Sequence, residues 1–413
     1  MKRNTKYKDI KIEKIPEEWT VYEISDVTEV IGGGTPSTKV PEYWGGDISW
    51  ITPKDLANFE FRYIKKGVRN ITKKGLDDSS AKILPKNTVL LTTRAPVGYL
   101  AIADNEVTTN QGFRSLVPKR RTKSEFLFYL LKNNIAVLKA NATGTTFGEL
   151  SGSVLKSLKF AFPPVEEQEA ITKILSDLDS KIELNNQINK NLEEITQAIF
   201  KHWFIDIEFP NENGEPYKSS GGEMVGSELG PIPKEWGVIP FKEIINISSG
   251  KRPKIMNKEK DRGFNIPLIG ASSIMGYVSE TLYVKPILII GRVGTHGIVQ
   301  RIKGKSWPSD NTLVIQPEYY EYTYQILKNI DYQSLNRGST QPLITQTDIK
   351  KYKIIFPKNN LLKDFEKRID SLFQLINKNK EENKVLFGIR DALLPKLMSG
   401  EIRVSINIKE GDG

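Results

Sequence analysis

Apolar residues recur in steps of three and four along two long stretches of the chain, a period that predicts two amphipathic helices. In the first stretch the apolar positions are Ile171, Ile174, Leu175, Leu178, Ile182, Ile188, Leu192, Ile195 and Ile199. Eight of these positions, moved 194 residues along the chain, become Phe365, Ile369, Leu372, Ile376, Glu382, Leu386, Ile389 and Leu393, and seven remain apolar. A helix of about 40 residues is about 60 Å long, too long to pack wholly within one domain of ~130 residues. Each helix is therefore predicted to act as a spacer.

Both predicted helices turn polar in the middle. The polar positions are Asn185, Asn186, Gln187 and Asn189 in the first helix, and Asn377, Asn379, Glu381, Glu382 and Asn383 in the second. A buried polar seam lowers stability but fixes register and partner choice in a coiled coil. A solvent-exposed stretch would have the same composition, so both interpretations remain open at this point.

The rest of the chain also repeats itself, at two spacings. Ile15-Pro16-Glu17-Glu18-Trp19 recurs 217 residues later as Ile232-Pro233-Lys234-Glu235-Trp236, and Gly33 meets Gly250 at the same spacing. Gly144, Thr146, Phe162 and Pro163 return 194 residues later as Gly338, Thr340, Phe356 and Pro357. Between them, Val89-Leu90-Leu91 before Arg94 resembles Ile287-Leu288-Ile289 before Arg292. Two related copies are therefore predicted, the first with about two dozen extra residues in its middle.

Each copy is predicted to be a mixed α/β domain. Short Val, Ile and Thr strands such as residues 88–92 and 286–290 alternate with glycine turns, and helical stretches such as residues 124–139 lie between them. Residues 206–231 are rich in Gly, Ser, Pro and acidic residues and form a linker. The predicted order is a first domain at 1–163, a long helix at 164–205, the linker, a second domain at 232–357, a long helix at 358–402 and a tail at 403–413.

Composition narrows the possible functions. The chain has 60 Lys and Arg against 50 Asp and Glu, a net charge of +10, which modestly favours a polyanionic partner, although a lysine-rich chain can be basic without one. It has no cysteine and two histidines, which excludes thiol chemistry and cysteine-ligated zinc and argues against a histidine-rich metal site. Residues 1–9 lack the apolar core of a signal peptide. The longest apolar run, residues 287–290, is far shorter than the roughly 18 residues of a membrane span. We therefore expect a cytoplasmic protein that binds no membrane.

The segment between the two copies carries the most specific motif. It is Tyr217-Lys218-Ser219-Ser220-Gly221-Gly222-Glu223-Met224-Val225, followed by Ser227-Glu228-Leu229-Gly230. This run resembles the central conserved region of the specificity subunits of type I restriction-modification systems, and the resemblance covers essentially the whole chain. Supporting matches are Gly34-Thr35-Pro36-Ser37, Phe162-Pro163-Pro164 and Leu393-Leu394-Pro395-Lys396-Leu397. Gly226, Glu235 and Lys251-Arg252 depart from the family pattern, which bears on DNA sequence preference more than on membership.

The resemblance implies a division of labour. Two target recognition domains each read one half of a bipartite site in double-stranded DNA, and two antiparallel long helices form a coiled coil that sets the spacer, with approximate two-fold symmetry. Two modification subunits dock on the conserved regions and methylate adenine, and restriction subunits add cleavage. S-adenosylmethionine, ATP and Mg²⁺ are then expected only in these partner subunits. This chain would recognise the DNA sequence, and it would hold no cofactor, metal or catalytic residue.

Motifs for catalysis in this chain itself are missing. The Pro163-Pro164 pair has no Asn or Asp before it, as an adenine methyltransferase loop requires. The run Gly32-Gly33-Gly34 lacks the lysine and hydroxyl residue of a phosphate-binding loop. Two alternatives remain: a coiled-coil adaptor that binds no specific DNA sequence, and a self-contained nuclease with a diverged carboxylate site.

Glycine-rich loops with hydroxyl and basic neighbours are the candidate DNA contacts, because glycine lets the backbone approach a ligand closely. The candidates are Thr35, Ser37, Lys39, Arg94, Gln111, Arg114, Thr145 and Thr146 in the first copy, and Lys251, Arg252, Arg292, His296, Asn311, Arg337, Ser339 and Thr340 in the second. Arginine can grip guanine, and Asn or Gln adenine, through two hydrogen bonds. Arg94, Gln111, Arg292, Asn311 and Arg337 are therefore the preferred base readers. Alternatively, residues at matched places in both copies only shape turns common to the fold.

Overall fold

Both long apolar stripes fold into continuous helices. The computed structural model describes residues 7–10, 13–143, 148–292, 298–332, 344–357 and 359–404. The first long helix, α7, is Val165–Phe200 with 36 residues, and a π-helical turn at Lys201–Ile205 follows it directly. The second, α10, is Asn359–Met398 with 40 residues. The prediction of two long helices is therefore confirmed. No helix within the described ranges combines the length and apolar character needed to cross a membrane.

The chain divides into two compact units, each containing one α/β domain and one half of each long helix. The first unit is Met1–Gln187 with Asn379–Gly413, and the second is Ile188–Lys378. Before α7, the chain order is β1 (Tyr7–Ile10), β2 (Glu13–Pro16), β3 (Thr20–Glu23), α1 (Ile24–Val27), β4 (Thr28–Gly32), β5 (Trp44–Ile51), α2 (Pro53–Leu56), β6 (Tyr63–Ile64), β7 (Arg69–Ile71), α3 (Lys73–Asp77), β8 (Val89–Thr93), β9 (Val97–Ala103), β10 (Thr108–Thr109), β11 (Phe113–Pro118), α4 (Ser124–Asn133), α5 (Ile135–Ala140), α6 (Gly152–Ser157) and β12 (Lys159–Phe162).

Two sheets and a short strand pair organise the first unit. The larger sheet has the order β4-β11-β8-β9-β6, and the smaller has the order β10-β5-β7. Strand β12 pairs with β3, which joins the end of the domain to its beginning. All five residues of β8 are buried, as expected of a central strand covered on both faces. The helical stretch predicted at residues 124–139 is interrupted at Asn134, whose side-chain amide donates to the Leu130 carbonyl and competes with the helical pattern.

The second unit repeats this topology. Its elements between α7 and α10 are β13 (Met224–Val225), β14 (Ile232–Pro233), β15 (Gly237–Pro240), β16 (Ile245–Ser249), β17 (Ile266–Ile269), β18 (Ile274–Val278), β19 (Ile287–Gly291), β20 (Val299–Ile302), β21 (Trp307–Pro308), β22 (Thr312–Pro317), α8 (Tyr320–Asn329), α9 (Gln346–Lys351) and β23 (Lys353–Phe356). The sheet orders are β16-β22-β19-β20 and β18-β17-β21, and β15 pairs with β23. Each sheet and pair has its counterpart in the first unit, so the predicted duplication and the mixed α/β class are confirmed.

The extra residues of the first copy lie between β5 and β8. In the first unit 37 residues separate Ile51 from Val89. In the second unit 17 residues separate Ile269 from Ile287. The longer segment holds α2, β6, β7 and α3, so the two units differ most around their smaller sheets.

The long helices bury their apolar stripes against the domains. In the first unit Ile171 and Leu175 of α7 and Leu397 of α10 join the core formed by the larger sheet and α4. In the second unit Phe200 and Phe365 lie in one core with aromatic residues of α8 and of the π-helical turn. The helices are therefore structural parts of both units as well as connections between them.

A buried polar seam joins the two helices in the first unit. The Asn185 side-chain amide donates to Asn383 Oδ1 at 2.8 Å, and the Asn383 amide donates to Asn186 Oδ1 at 2.8 Å. Asn185 is 1% exposed and Asn383 is 4% exposed. Further along the pair of helices, the Arg390 guanidinium donates to the Asp179 carboxylate. Residues later in α10 therefore contact residues earlier in α7. The helices are antiparallel here, and the seam is buried instead of facing solvent.

Replacing Asn185 and Asn383 by leucine is expected to give strongly non-additive losses of stability. Each single change removes the hydrogen bond between the two amides and leaves the remaining buried amide with its other partner, Glu382 for Asn185 and Asn186 for Asn383, which costs about 1–3 kcal/mol. The double change Asn185→Leu with Asn383→Leu removes both polar groups, so we expect a coupling free energy of about 0.5–3 kcal/mol. The coupling free energy is measured by urea denaturation, with the unfolding of the first unit monitored by hydrogen exchange of residues 165–187. Additive losses would mean that the two amides do not stabilise each other.

Candidate nucleic-acid interface

The predicted loops of the first unit meet at one edge of the larger sheet. Strand β4 ends at Gly32, β8 ends at Thr93, and β11 begins at Phe113. Because β11 runs antiparallel to both neighbours, these three strand ends lie side by side. The loops that follow β4 and β8 and the loop that precedes β11 therefore form one cluster, which we call the first loop cluster.

One glycine in each unit is required by loop packing. The Gly33 amide donates to the Phe113 carbonyl, and a Cβ at Gly33 would lie 1.9 Å from the Asn110 carbonyl oxygen. In the second unit the Gly250 amide donates to the Thr312 carbonyl, and a Cβ there would lie 2.1 Å from the carbonyl oxygen of Ser309. Both glycines therefore shape a turn common to the fold.

The side chains of the first loop cluster contact one another. The Thr35 hydroxyl donates to Gln111 Oε1. Arg94 and Arg114 both face the carboxylate of Glu149, at 3.9 Å and 3.5 Å between nitrogen and oxygen. The structure thus brings together four of the predicted residues. Two others, Ser37 and Lys39, are exposed later in the loop after β4.

Glu149 was not among the predicted site residues. Hydroxyl, amide and basic side chains are the groups expected to contact DNA, and a single carboxylate among them is not distinguished by the sequence alone. Its position three residues after Thr146 was the available clue. A carboxylate there orients two guanidinium groups, and it can also accept a hydrogen bond from the amino group of cytosine.

The second loop cluster is the matching edge of the second unit. Lys251, Arg252, Arg292 and Asn311 are all exposed there. The Arg292 amide donates to the Asn311 carbonyl at 2.9 Å, and the Lys251 amide donates to the Pro308 carbonyl at 2.9 Å. These contacts hold three loops together as in the first unit.

The predicted match of Arg94 with Arg292 is wrong by one residue. The Thr93 amide donates to the Gly112 carbonyl. In the second unit the corresponding hydrogen bond runs from the Arg292 amide to the Asn311 carbonyl. The Thr93 carbonyl accepts from the Leu150 amide, and the Arg292 carbonyl accepts from the Ile344 amide. Arg292 therefore occupies the place of Thr93. A run of consecutive apolar residues cannot define its own register, whereas backbone pairing does.

Six predicted contacts lie outside the described residues. They are Thr145, Thr146, His296, Arg337, Ser339 and Thr340. They remain predictions from the sequence.

Tryptophan side chains support both loop clusters. Trp50 of β5 donates its indole N–H to the Gly34 carbonyl at 2.9 Å, and Trp44 donates to the Ser37 carbonyl at 3.2 Å. In the second unit the donor to the Lys251 carbonyl is Trp307, on β21. In both units an indole N–H therefore bonds a backbone carbonyl of the loop. The tryptophan that donates lies on β5 in the first unit and on β21, which corresponds to β10, in the second. These tryptophans were not predicted from the sequence, although a buried indole N–H usually has a hydrogen-bond acceptor.

The described part of the chain contains no group of three or more His, Asp or Glu side chains placed to hold a metal ion.

Comparison with known proteins identifies the family. The family described as the type I restriction modification DNA specificity domain matches residues 16–194 and 233–386. The chain belongs to the type I restriction-modification specificity family. The specificity subunit of the type I restriction enzyme MjaIX of Methanocaldococcus jannaschii is 39% identical over 431 residues, which cover 97% of each chain. That of HindI from Haemophilus influenzae is 26% identical over 468 residues, 93% of this chain and all of the relative.

A solved structure supports the fold of this specificity subunit. The crystal structure of the type I restriction-modification S subunit from M. genitalium has a TM-score of 0.60 at 20% identity, covering 96% of this chain and 98% of that one. The predicted family, fold class and function as a type I specificity subunit are therefore confirmed. Since its relatives are specificity subunits, the chain is a recognition subunit and not an enzyme, and neither the adaptor nor the nuclease alternative is favoured.

Proposed function

We propose that each loop cluster of this specificity subunit reads one half of a bipartite site in double-stranded DNA. One observation carries this proposal: the two units share backbone contacts at the loop edge but differ in side chains. The strand register matches Gln111 with Asp310, Gly112 with Asn311, and Arg114 with Leu313. A shared frame with different hydrogen-bonding groups is what reading two unlike half-sites requires.

The residue chemistry assigns roles within each cluster. Arg94, Arg114 and Arg292 suit guanine O6 and N7, and Gln111 and Asn311 suit adenine. Thr35, Ser37, Lys39, Lys251 and Arg252 suit phosphate oxygens, which position the protein without reading sequence. Exposed lysines such as Lys65 and Lys66 add an attraction that weakens as salt rises.

The long helices are proposed to set the spacer and to dock the partner subunits. They carry exposed apolar side chains that no domain covers, including Leu184 and Ile195 of α7 and Val385 of α10, at 54%, 46% and 63% exposure. Exposed apolar surface of this kind is typical of protein contacts. The partners would be two modification subunits and the restriction subunits. S-adenosylmethionine, ATP and Mg²⁺ would be bound by those partners, in the cytoplasm where the host DNA lies.

Methylome sequencing tests this function. A host that expresses this chain with its modification subunit is expected to show one bipartite motif with methylated adenine in both halves, whereas the modification subunit alone should leave no motif. Arg94→Ala and Arg292→Ala should each relax a base position, in opposite halves, by about 1–3 kcal/mol of discrimination. A continuous motif, or the same half altered by both variants, would contradict the proposal.

A further inference from the structure

An arginine of the first unit is stacked on two tryptophan side chains of the smaller sheet. Arg69 begins β7 and pairs with Trp50 of β5. Its guanidinium carbon lies 3.5 Å from the ring centroid of Trp44 and 5.8 Å from that of Trp50. The two indoles themselves pack edge to face with centroids 4.9 Å apart. A guanidinium held this way is restricted to one plane.

The same two indoles hold the loop that follows β4. Trp50 donates to the Gly34 carbonyl and Trp44 donates to the Ser37 carbonyl. Arg69 is therefore connected through one aromatic layer to the loop that carries Thr35, Ser37 and Lys39. Its position adds a guanidinium to the first loop cluster from a different sheet.

Among the residues that the structure describes, Arg69 finds no hydrogen-bond acceptor for its guanidinium. Arg69 is exposed, and within the described ranges its guanidinium makes no hydrogen bond or ion pair. The neighbouring Arg62 differs, because it is largely buried and bonds to Glu183 at 3.0 Å. An oriented guanidinium with five free N–H donors matches a planar acceptor pair and loses little conformational freedom on binding.

The second unit has no arginine at the position that corresponds to Arg69. In the smaller sheet of the second unit, strand register places Gly276 of β18 where Arg69 stands in β7. A Cβ at Gly276 would lie 2.5 Å from the Asn257 carbonyl oxygen and 3.0 Å from Met256 Cε, so a side chain there is excluded. A residue needed for the common fold would be matched in both copies, whereas a residue that reads one half-site would not.

We infer that Arg69 reads a guanine in the half-site bound by the first unit; this inference rests on the proposed function. A stacked guanidinium can also pair with a phosphate. A base edge is favoured because Arg69 has no counterpart in the second unit, and a phosphate contact would carry no sequence information. Guanine presents O6 and N7 as two acceptors in one plane, which the fork of a stacked guanidinium matches.

The test compares methylation motifs of full-length variants expressed with the modification subunit. Arg69→Lys keeps the charge and removes the planar fork, so discrimination at one position of one half is expected to fall by about 5- to 100-fold. Trp44→Leu, which removes the stacking surface, should relax the same position, and Trp44→Phe, which keeps a ring, should relax it less. Arg120→Lys is the matched control, because Arg120 is exposed beyond the opposite end of β11 and should leave the motif unchanged.

The outcomes separate this inference from the proposed function. The unchanged second half of the motif serves as an internal control for folding in each variant. An unaltered motif in Arg69→Lys, or an equal loss of methylation at all sequences, would overturn the reading of a base by Arg69. A wild-type protein that yields no bipartite motif would instead overturn the proposed function.

Discussion

Inserting seven residues into each long helix is expected to lengthen the spacer between the half-sites by about three base pairs. The insertions go between Gln187 and Ile188 and between Lys378 and Asn379, where the two compact units divide the helices. Seven residues lengthen a helix by about 10.5 Å, and base pairs are about 3.4 Å apart. A heptad also restores the helical face to within about 20°. The contacts inside each unit are therefore preserved, and the bases read should not change.

The inserted segments can be copies of residues 181–187 and 379–385, which contain the Asn185 and Asn383 partners of the buried seam. Affinity for the original site should fall by about 1000-fold or more, towards the level of non-specific binding. A seven-residue insertion in the linker 206–231 is the control and should leave the motif intact. Methylome sequencing measures the spacer length in the recognised motif. Binding to DNA duplexes with different spacer lengths measures the change in affinity. Altered bases with an unaltered spacer would refute the spacing role of the helices.

Changing Asp179 to asparagine should destabilise the first unit by about 3 kcal/mol. The Asp179 carboxylate is 5% exposed and accepts from the Arg390 guanidinium at 2.8 Å and from the Tyr129 hydroxyl at 2.8 Å. Burial and the negative charge of Asp179 raise the pKa of Tyr129, so the phenol remains a donor. Removing one partner from a buried ion pair costs about 3–5 kcal/mol, and Arg390 would keep only the largely exposed Asp391 carboxylate, at 2.7 Å. Partial exposure of the Arg390 side chain, 12%, puts the expected loss at the lower end.

The same substitution two residues earlier is the control. Asp177 pairs with Lys173 on the surface of the same helix, and its side chain is 64% exposed. Asp177→Asn should change the stability by about 0.5 kcal/mol or less. Hydrogen exchange of peptides from residues 165–187 and 379–398 reports the stability of the first unit in both variants. Equal effects of the two substitutions would show that the buried network contributes nothing beyond a surface pair.

Local patterns in the sequence were reliable where one element has its own period. The apolar stripe from Ile171 to Ile199 predicted a helix because burial of one face is repeated every three or four residues. The strand predicted at residues 88–92 is β8, displaced by one residue. The copies were recognised from motifs at matched spacings, such as Ile15 to Trp19 and Ile232 to Trp236. These motifs occupy matching places in two units whose sheets share one strand order, apart from the additional strand β6 of the first unit.

The site depended on contacts that no local pattern encodes. Arg114 meets Glu149 across 35 residues, and Arg69 lies over Trp44 across 25. Such pairs are created by strand register and by loop packing, and a shift of one residue in register would face different side chains towards each other. For that reason the predicted match of Arg94 with Arg292 was off by one, and Glu149 and Arg69 were not found at all.

The sequence by itself determined the long helices, the duplication, the α/β class and the family. Each of these follows from the spacing of apolar residues along one segment or from motifs that recur within the chain. Only the tertiary structure decided which loops share an edge, which side of the helices is buried at Asn185 and Asn383, and which arginines are paired or free. The physical reason is that burial periodicity is a property of each segment, whereas pairing partners are chosen by the packing of segments far apart in the chain.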